Sequence, residues 1–364
     1  MNFLLGPAFF VPLPRSNLGE RGNATMQSRD FSRRLGRSTA VCVSAMVWCW
    51  GMASVFAVQP ADDELPDAKP VPAVQVVPLP YDQASFQFRG VELIRVHFGA
   101  DLKRPFVFPV RGSAGRSLTR MGHPHDPVSH SHHNSVWLSH QNVEGVNFWE
   151  DPGTQRIVCR KITRFDDGAD RAAMVAEIQW LNSEGTPLID EVRTIAVRVD
   201  PETPIAESTG IPRAYLVTIE STFTPAGKPS VVFDTTPFGL IGVRMAKTIG
   251  VNDGGGRILN SEGARNERAV FRKPARWVDY AGYIGDSETA GISLFDHPAN
   301  PGFPSPFHVR NDGWMGICLT LDRPQKATSA SPLSVIYGLW VHDGVPKRET
   351  IDRAWRDFAE QNDR

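Results

Sequence analysis

The chain has 364 residues, 41% of them hydrophobic and 22% charged, with a formal net charge of −1. That composition supplies a sizeable core and excludes global disorder, and the absence of a basic excess argues against a nucleic-acid partner. The 31 Gly and 29 Pro follow no period, which excludes collagen and coiled coil and suits a chain of many turns.

In chain order the first element is an export address. Residues 38–57 carry no charge, follow Arg29, Arg33, Arg34 and Arg37, and end on Val55-Phe56-Ala57, with small or β-branched residues at positions −3 and −1 of a cleavage site. A basic segment, an apolar segment and a cleavage signal predict a signal peptide removed before Val58, hence a periplasmic or extracellular protein. Residues 1–25 read as an upstream extension before Met26. The competing reading is an uncleaved anchor, but Ser, Thr and Gly dilute the stretch. No later segment is long and apolar enough to span a bilayer, so no integral span is expected after cleavage. Cleavage removes six Arg and two acidic residues, which moves the net charge to −5. It leaves Cys159 and Cys318, which can either pair in a compartment that permits disulfides or stay buried as free thiols.

A Pro- and Asp-rich linker over 58–80 follows, leading into a first strand, and then a single domain over 81–364. Twelve short apolar or alternating runs predict strands at 86–88, 92–98, 106–110, 157–162, 173–181, 192–199, 215–223, 231–233, 240–245, 291–295, 316–321 and 334–341. In the run Val192 to Val199, Ile195, Val197 and Val199 share one face, and Thr194, Ala196 and Arg198 the other. Turn signals such as Asp200-Pro201-Glu202 and Pro225-Ala226-Gly227 separate the runs. Residues 252–257 (Asn-Asp-Gly-Gly-Gly-Arg) read as a loop, since no phosphate-loop Lys-Ser or Lys-Thr follows. Only residues 347–361 read as a helix, with Ile351, Trp355 and Phe358 at helical spacing. The expected fold is all-β, a large antiparallel β-sandwich with one C-terminal helix. Glu191 and Arg193, two apart on a strand, form either a sheet ion pair of little weight or part of a site-bearing sheet face.

Six of the ten histidines fall between 123 and 140: His123, His125, His130, His132, His133 and His140. Imidazole is both a common metal ligand and an acid or base near neutral pH. Residues two apart in an extended segment point the same way, so His130 and His132, or His123 and His125, can share a ligand, with Asp126, Glu144, Glu150 and Asp151 nearby. No His-Glu-x-x-His and no cupin pattern is present.

The segment His130-Ser131-His132-His133-Asn134-Ser135-Val136-Trp137, then His140-Gln141-Asn142-Val143-Glu144-Gly145-Val146-Asn147-Phe148-Trp149, resembles the PmoA-like family of exported bacterial proteins, labelled methane oxygenase. Further blocks resemble it too: Ala275-Arg276-Trp277-Val278-Asp279-Tyr280-Ala281-Gly282, Phe295-Asp296-His297-Pro298-Ala299-Asn300-Pro301 with Phe307-His308-Val309-Arg310, and Val341-His342-Asp343-Gly344. The resemblance covers roughly residues 80–360. Ser131, Asn134 and Asn147 depart from the family's Pro, Arg and Asp. The membrane subunit that bears the methane label is a helical bundle, whereas this chain reads as strands. The strand-rich layout is similar instead to the galactose mutarotase supersandwich, which implies a sugar site on a sheet face.

Three functions follow. One is a carbohydrate-active enzyme of epimerase, lyase or hydrolase type, with His132, His133, His140 and His308 as acid and base. Its substrate, a small molecule or an oligosaccharide, would be held by Arg276, Trp277, Asp279, Asp296, His297, Arg310 and Trp149. Another is an oxidoreductase whose divalent transition metal sits on His130, His132 and His140. The third is a carbohydrate-binding module without catalysis, favoured by the charges lost at Asn134 and Asn147. Trp137 and Trp314 also lie beside the polar blocks.

Overall fold

The computed structural model describes residues 69–126 and 128–360. The signal-peptide reading and residues 58–68 of the linker lie outside the described residues. Two antiparallel sheets stack face to face. One has nine strands, in the order Val74–Leu79, Gln83–Phe88, Val91–His97, Phe106–Val110, Val136–His140, Gly239–Arg244, Trp314–Cys318, Pro306–Arg310 and Lys273–Pro274. The other has eight: Arg257–Asn260, Trp277–Tyr283, Thr289–Asp296, Leu333–Asp343, Ala214–Pro225, Pro187–Arg198, Arg171–Leu181 and Arg156–Asp166. A two-stranded ribbon pairs Ser230–Phe233 with Gln325–Thr328. This is the all-β sandwich that the strand pattern predicts.

Each of the twelve predicted runs overlaps a strand, and the run 316–321 leaves its strand at Cys318 for a turn. The first strand lies inside the segment read as linker: Val74–Leu79 pairs with Gln83–Phe88, and Val74 and Val76 are buried, so the sheet begins before residue 81. Residues 252–257 are not wholly a loop. Val251–Gly254 forms one helical turn that Gly255 ends at φ +70°, and a strand starts at Arg257. A second short helix spans Asn266–Val270.

The main core lies between the sheets. Strand periodicity of two sends Ile241, Val243, Met315 and Ile317 inward from one sheet and Ile195, Val197, Ile219 and Leu339 inward from the other. Glu191 and Arg193 also point inward. Both are buried, and the Arg193 Nε and Nη2 donate to the two Glu191 carboxylate oxygens at 2.7 and 2.9 Å. They are therefore neither a surface ion pair nor the lining of a site face. The outer face of the eight-stranded sheet is covered by the helix Arg348–Ala359, whose Ile351, Trp355 and Phe358 pack on Leu216, Leu259, Trp277 and Phe295. Among the described residues no helix is long and apolar enough to cross a membrane.

Cys159 and Cys318 are free thiols. Cys318 is buried on the outer-face parity of its strand and donates to the Pro237 carbonyl at 2.9 Å.

Candidate functional site

The outer face of the nine-stranded sheet carries a second, separate aromatic cluster of Trp137, Trp149 and Trp314, with Phe106 and Phe238 packed on it. Register explains its position. His308, Gly316, Gly242 and Trp137 lie in one row across four adjacent strands, and Arg310, Trp314 and Arg244 in the next row of the same face. The alternate residues of these strands, Val309, Met315, Ile317, Ile241 and Val243, face the core. Two glycines in the first row leave a trough. A Cβ on Gly242 would stand 2.6 Å from the Trp314 Cη2 and 2.9 Å from the Trp137 Cζ2. A Cβ on Gly316 would stand 3.1 Å from the Trp314 Cζ2. Trp314 thus lies down across the strands instead of standing on them, 5.4 Å from Trp137 between ring centroids.

Above these rings opens a cleft of about 470 Å³, lined by His123, His130, His132, His133, Trp149, Phe238, Arg244, His308, Arg310, Asp312 and Trp314, with Ser129 and Glu150. His133 stacks on Trp314 at 5.3 Å with planes 13° apart and packs on Trp137 at 5.6 Å. His132 meets His133 edge-on at 4.5 Å. His308 stacks on Phe238 at 5.2 Å, and its Nδ1 is 3.1 Å from the Pro237 carbonyl. Burial pushes the His132 pKa down to about 4, helped by the positive charge of Arg104, and lowers those of His133, His308 and His123. At neutral pH these imidazoles are uncharged, and a neutral imidazole has one ring nitrogen to accept a hydroxyl hydrogen bond; that of His123 is already taken by the His125 N–H.

Arg104, fully buried, ties the two walls together. Its Nη1 donates to the Asn134 Oδ1 at 2.6 Å and the His132 carbonyl at 3.3 Å. Its Nη2 donates to the carbonyls of Phe148, Trp149 and Glu150 at 3.2, 2.9 and 3.2 Å and reaches Asp151 at 3.2 Å. The Asn departures therefore have structural roles. Asn134 accepts from Arg104, and the Asn147 Oδ1 accepts from the backbone N–H groups of Trp149 and Glu150, a turn that Asp closes equally well. Ser131 donates to Asp151 at 2.7 Å.

Of the residues singled out from sequence, the structure brings His130, His132, His133, His308, Trp149 and Arg310 together in this cleft. It does not bring His140 there. Odd and even positions of Val136–His140 face opposite sides, so with Trp137 outward His140 points into the sandwich. There its Nε2 is 2.8 Å from the Thr320 hydroxyl and its ring packs edge-on against Phe233. The proposed metal triad of His130, His132 and His140 is consequently not assembled, and among the described residues no other group of three could hold a metal ion. His123 and His125 stay adjacent, with ring centroids 6.1 Å apart, but bond different carboxylates: His123 bonds Asp312 at 3.0 Å and His125 bonds Asp253 at 2.7 Å.

The remaining candidates belong to the other sheet. Arg276 and Trp277 both donate to Asp352 of the C-terminal helix, at 3.0 and 2.8 Å, and Arg276 lies over Trp355. Asp296 is buried and accepts from the Asn300 side chain and the Ser305 N–H, both at 2.7 Å. His297 packs on Phe358. Asp279 accepts from Ser293, lies 2.8 Å from the His342 Nε2, and pairs with Arg257 at 3.0 Å. These side chains hold the helix and close the second sheet rather than facing the cleft.

The burial of His140 has a measurable consequence. Its pKa is pushed from 6.5 down to about 4 by desolvation. The unfolded chain therefore takes up a proton near pH 6.5 that the folded protein refuses until near pH 4. Its contribution is intact above pH 6.5 and is lost as the pH falls towards 4, by about 3 kcal/mol. Urea unfolding at pH 7.5 and 4 is expected to show this loss in the wild type and a smaller loss in His140→Gln. Equal losses in the two proteins would contradict it.

Sequence reasoning missed Arg244, Asp312 and Phe238. Two signals pointed to the first pair. In the strand Gly239–Arg244, Arg244 shares the parity of Gly242, so it leaves the core with that glycine. Asp312-Gly313 between two strands is a hairpin signal, and Gly313 has φ +94°, so Asp312 is at the tip that joins Arg310 to Trp314. Arg244 donates to Asp312 at 2.9 Å.

Among solved structures, a provisionally assigned mutarotase from Salmonella typhimurium is 10% identical, with 76% of this chain and 96% of that one covered and a TM-score of 0.27, a likeness too slight to argue from. No curated protein matches the chain. The comparisons carry no methane oxygenase description for it; instead a family model matches residues 83–356, most of the chain and every element of the cleft. The chain belongs to that family, a family of unknown function (DUF6807).

Proposed function

We propose that this is an exported protein whose cleft takes a carbohydrate or carbohydrate derivative, with His132 and His133 as the groups that accept its protons. One observation carries the reading: indole faces and uncharged imidazoles line the same 470 Å³ cleft. Sugars have apolar ring faces that stack on aromatic rings and hydroxyls that need acceptors, and this cleft offers both. His308, on the row beside Gly316, faces the same space and is the third candidate for acid or base. Export rests on the sequence of residues 29–57.

The metal-dependent oxidoreductase implied by the PmoA-like resemblance finds no comparable support. Its ligand His140 stands on the wrong face of its strand, so no step is derived through a metal. The choice between an enzyme and a binding module is experimental. Titration of the protein with a panel of neutral and acidic sugars, followed by tryptophan fluorescence, is expected to give saturable binding. Trp149→Ala should weaken it about tenfold, the order of one aromatic stacking contact. If the bound sugar is turned over, His132→Gln should slow turnover by about 100-fold while leaving affinity within about twofold. Binding without turnover would identify a binding module. No sugar binding at all would overturn the reading.

A further inference from the structure

Buried polar atoms without a partner gather beneath the cleft. Among the described residues, the His133 Nδ1, the Trp137 Nε1 and both the Nε and Nη2 of Arg244 have none. Arg244 is the most telling. Its side chain is 1% exposed and lines the cleft, and only its Nη1 is used, in the bond to Asp312. Leaving one edge of a buried guanidinium without an acceptor is costly, because those donors have given up water for nothing. Nε and Nη2 are the two parallel donors of one guanidinium edge, the arrangement that fits the two oxygens of a planar carboxylate.

Charge limits what can be accepted. Arg120 and Arg244 stand near Asp312 and Asp253, two cations against two anions, with His123 shared. Arg310 at the cleft is already paired with Glu267 at 2.7 Å. Glu150 is a further carboxylate in the lining. These charges already balance, so Asp312 and Glu150 oppose any added anion, and they oppose a dianion more than a single carboxylate.

We infer that the ligand is an acidic sugar, a uronic acid residue whose single carboxylate is held by the free edge of Arg244. This rests on the carbohydrate reading above and deepens it.

The test is calorimetric titration of the purified protein with galacturonate and glucuronate, their methyl esters, galactose and glucose, glucose 6-phosphate, and lactate. Each uronate is expected to bind at least tenfold more tightly than its own methyl ester and than the neutral sugar. This arm needs no variant. Arg244→Lys keeps the charge opposite Asp312 but lacks the fork, and is expected to bring the uronate-to-ester ratio to about one. Equal affinity of uronate and ester in the wild type overturns the inference and spares the carbohydrate reading. So does a ratio that survives Arg244→Lys, or tighter binding of the sugar phosphate. Binding of a small hydroxy acid such as lactate, with no sugar bound, overturns the sugar and keeps the carboxylate site. Failure of every probe overturns both.

Discussion

Glu191→Ala is expected to destabilise the protein by about 3–5 kcal/mol, the cost of leaving a buried charge without its partner. Glu191 is wholly enclosed between the sheets. Its carboxylate accepts from the Trp180 Nε1 at 2.7 Å, from the Ser221 hydroxyl at 2.7 Å, and from two Arg193 nitrogens. Removing it strands the Arg193 guanidinium, 4% exposed, among Met174, Ile195 and Ile219. Arg193→Met alone strands the carboxylate instead, although Trp180 and Ser221 still donate to it, so its cost should be smaller. The double variant Glu191→Leu/Arg193→Met removes both charges and should recover much of the loss, since an apolar replacement of a buried pair is often neutral. Denaturant unfolding of the wild type, Glu191→Leu, Arg193→Met and the double variant gives the coupling energy directly. If each single variant loses less than about 1 kcal/mol, the pair does not carry the weight assigned to it.

The second large effect concerns the ligand rather than the fold. Gly242→Val is expected to abolish saturable sugar binding or weaken it by more than tenfold. The new side chain starts 2.6 Å from one indole and 2.9 Å from another, so Trp314 and Trp137 must both move. His133 stacks on both rings, so its position moves with them. Overpacking of this kind costs about 1–3 kcal/mol, which a sandwich of this size should survive folded. Near-ultraviolet circular dichroism should change with the loss of binding, because the coupled indoles dominate that signal. Wild-type affinity with an unchanged spectrum would show that the trough over Gly242 does not shape the site.

How far the sequence reaches is clearest in particular strands. In Pro187–Arg198 one face is core and the other partly wet, so the alternation of Ile195 and Val197 with Thr194 and Arg198 is visible without coordinates. Val136–His140 and Trp277–Tyr283 escaped that reading because nearly every position is buried. Each has core on one side and an aromatic cluster or the C-terminal helix on the other, so polarity does not alternate. The helix over Arg348–Ala359 was legible because Ile351, Trp355 and Phe358 form a single apolar stripe.

The site divides in the same way. By itself the sequence determined an all-β chain with a helical end, and it marked the segment from His123 to Trp149 as the place where chemistry gathers. Six histidines within so short a stretch made one shared region of the fold the natural expectation. Which of them share a cleft was decided only by the tertiary structure. A one-residue change of parity sends Trp137 outward and His140 into the core, and strand pairing brings Arg244, far away in sequence, into one row with Arg310 and Trp314 of a single hairpin. The polar blocks around Arg276, Asp279 and Asp296 read like a site from sequence, yet they lie away from the cleft. A buried polar side chain needs partners wherever it lies, and here those partners are the helix, a turn and a neighbouring strand.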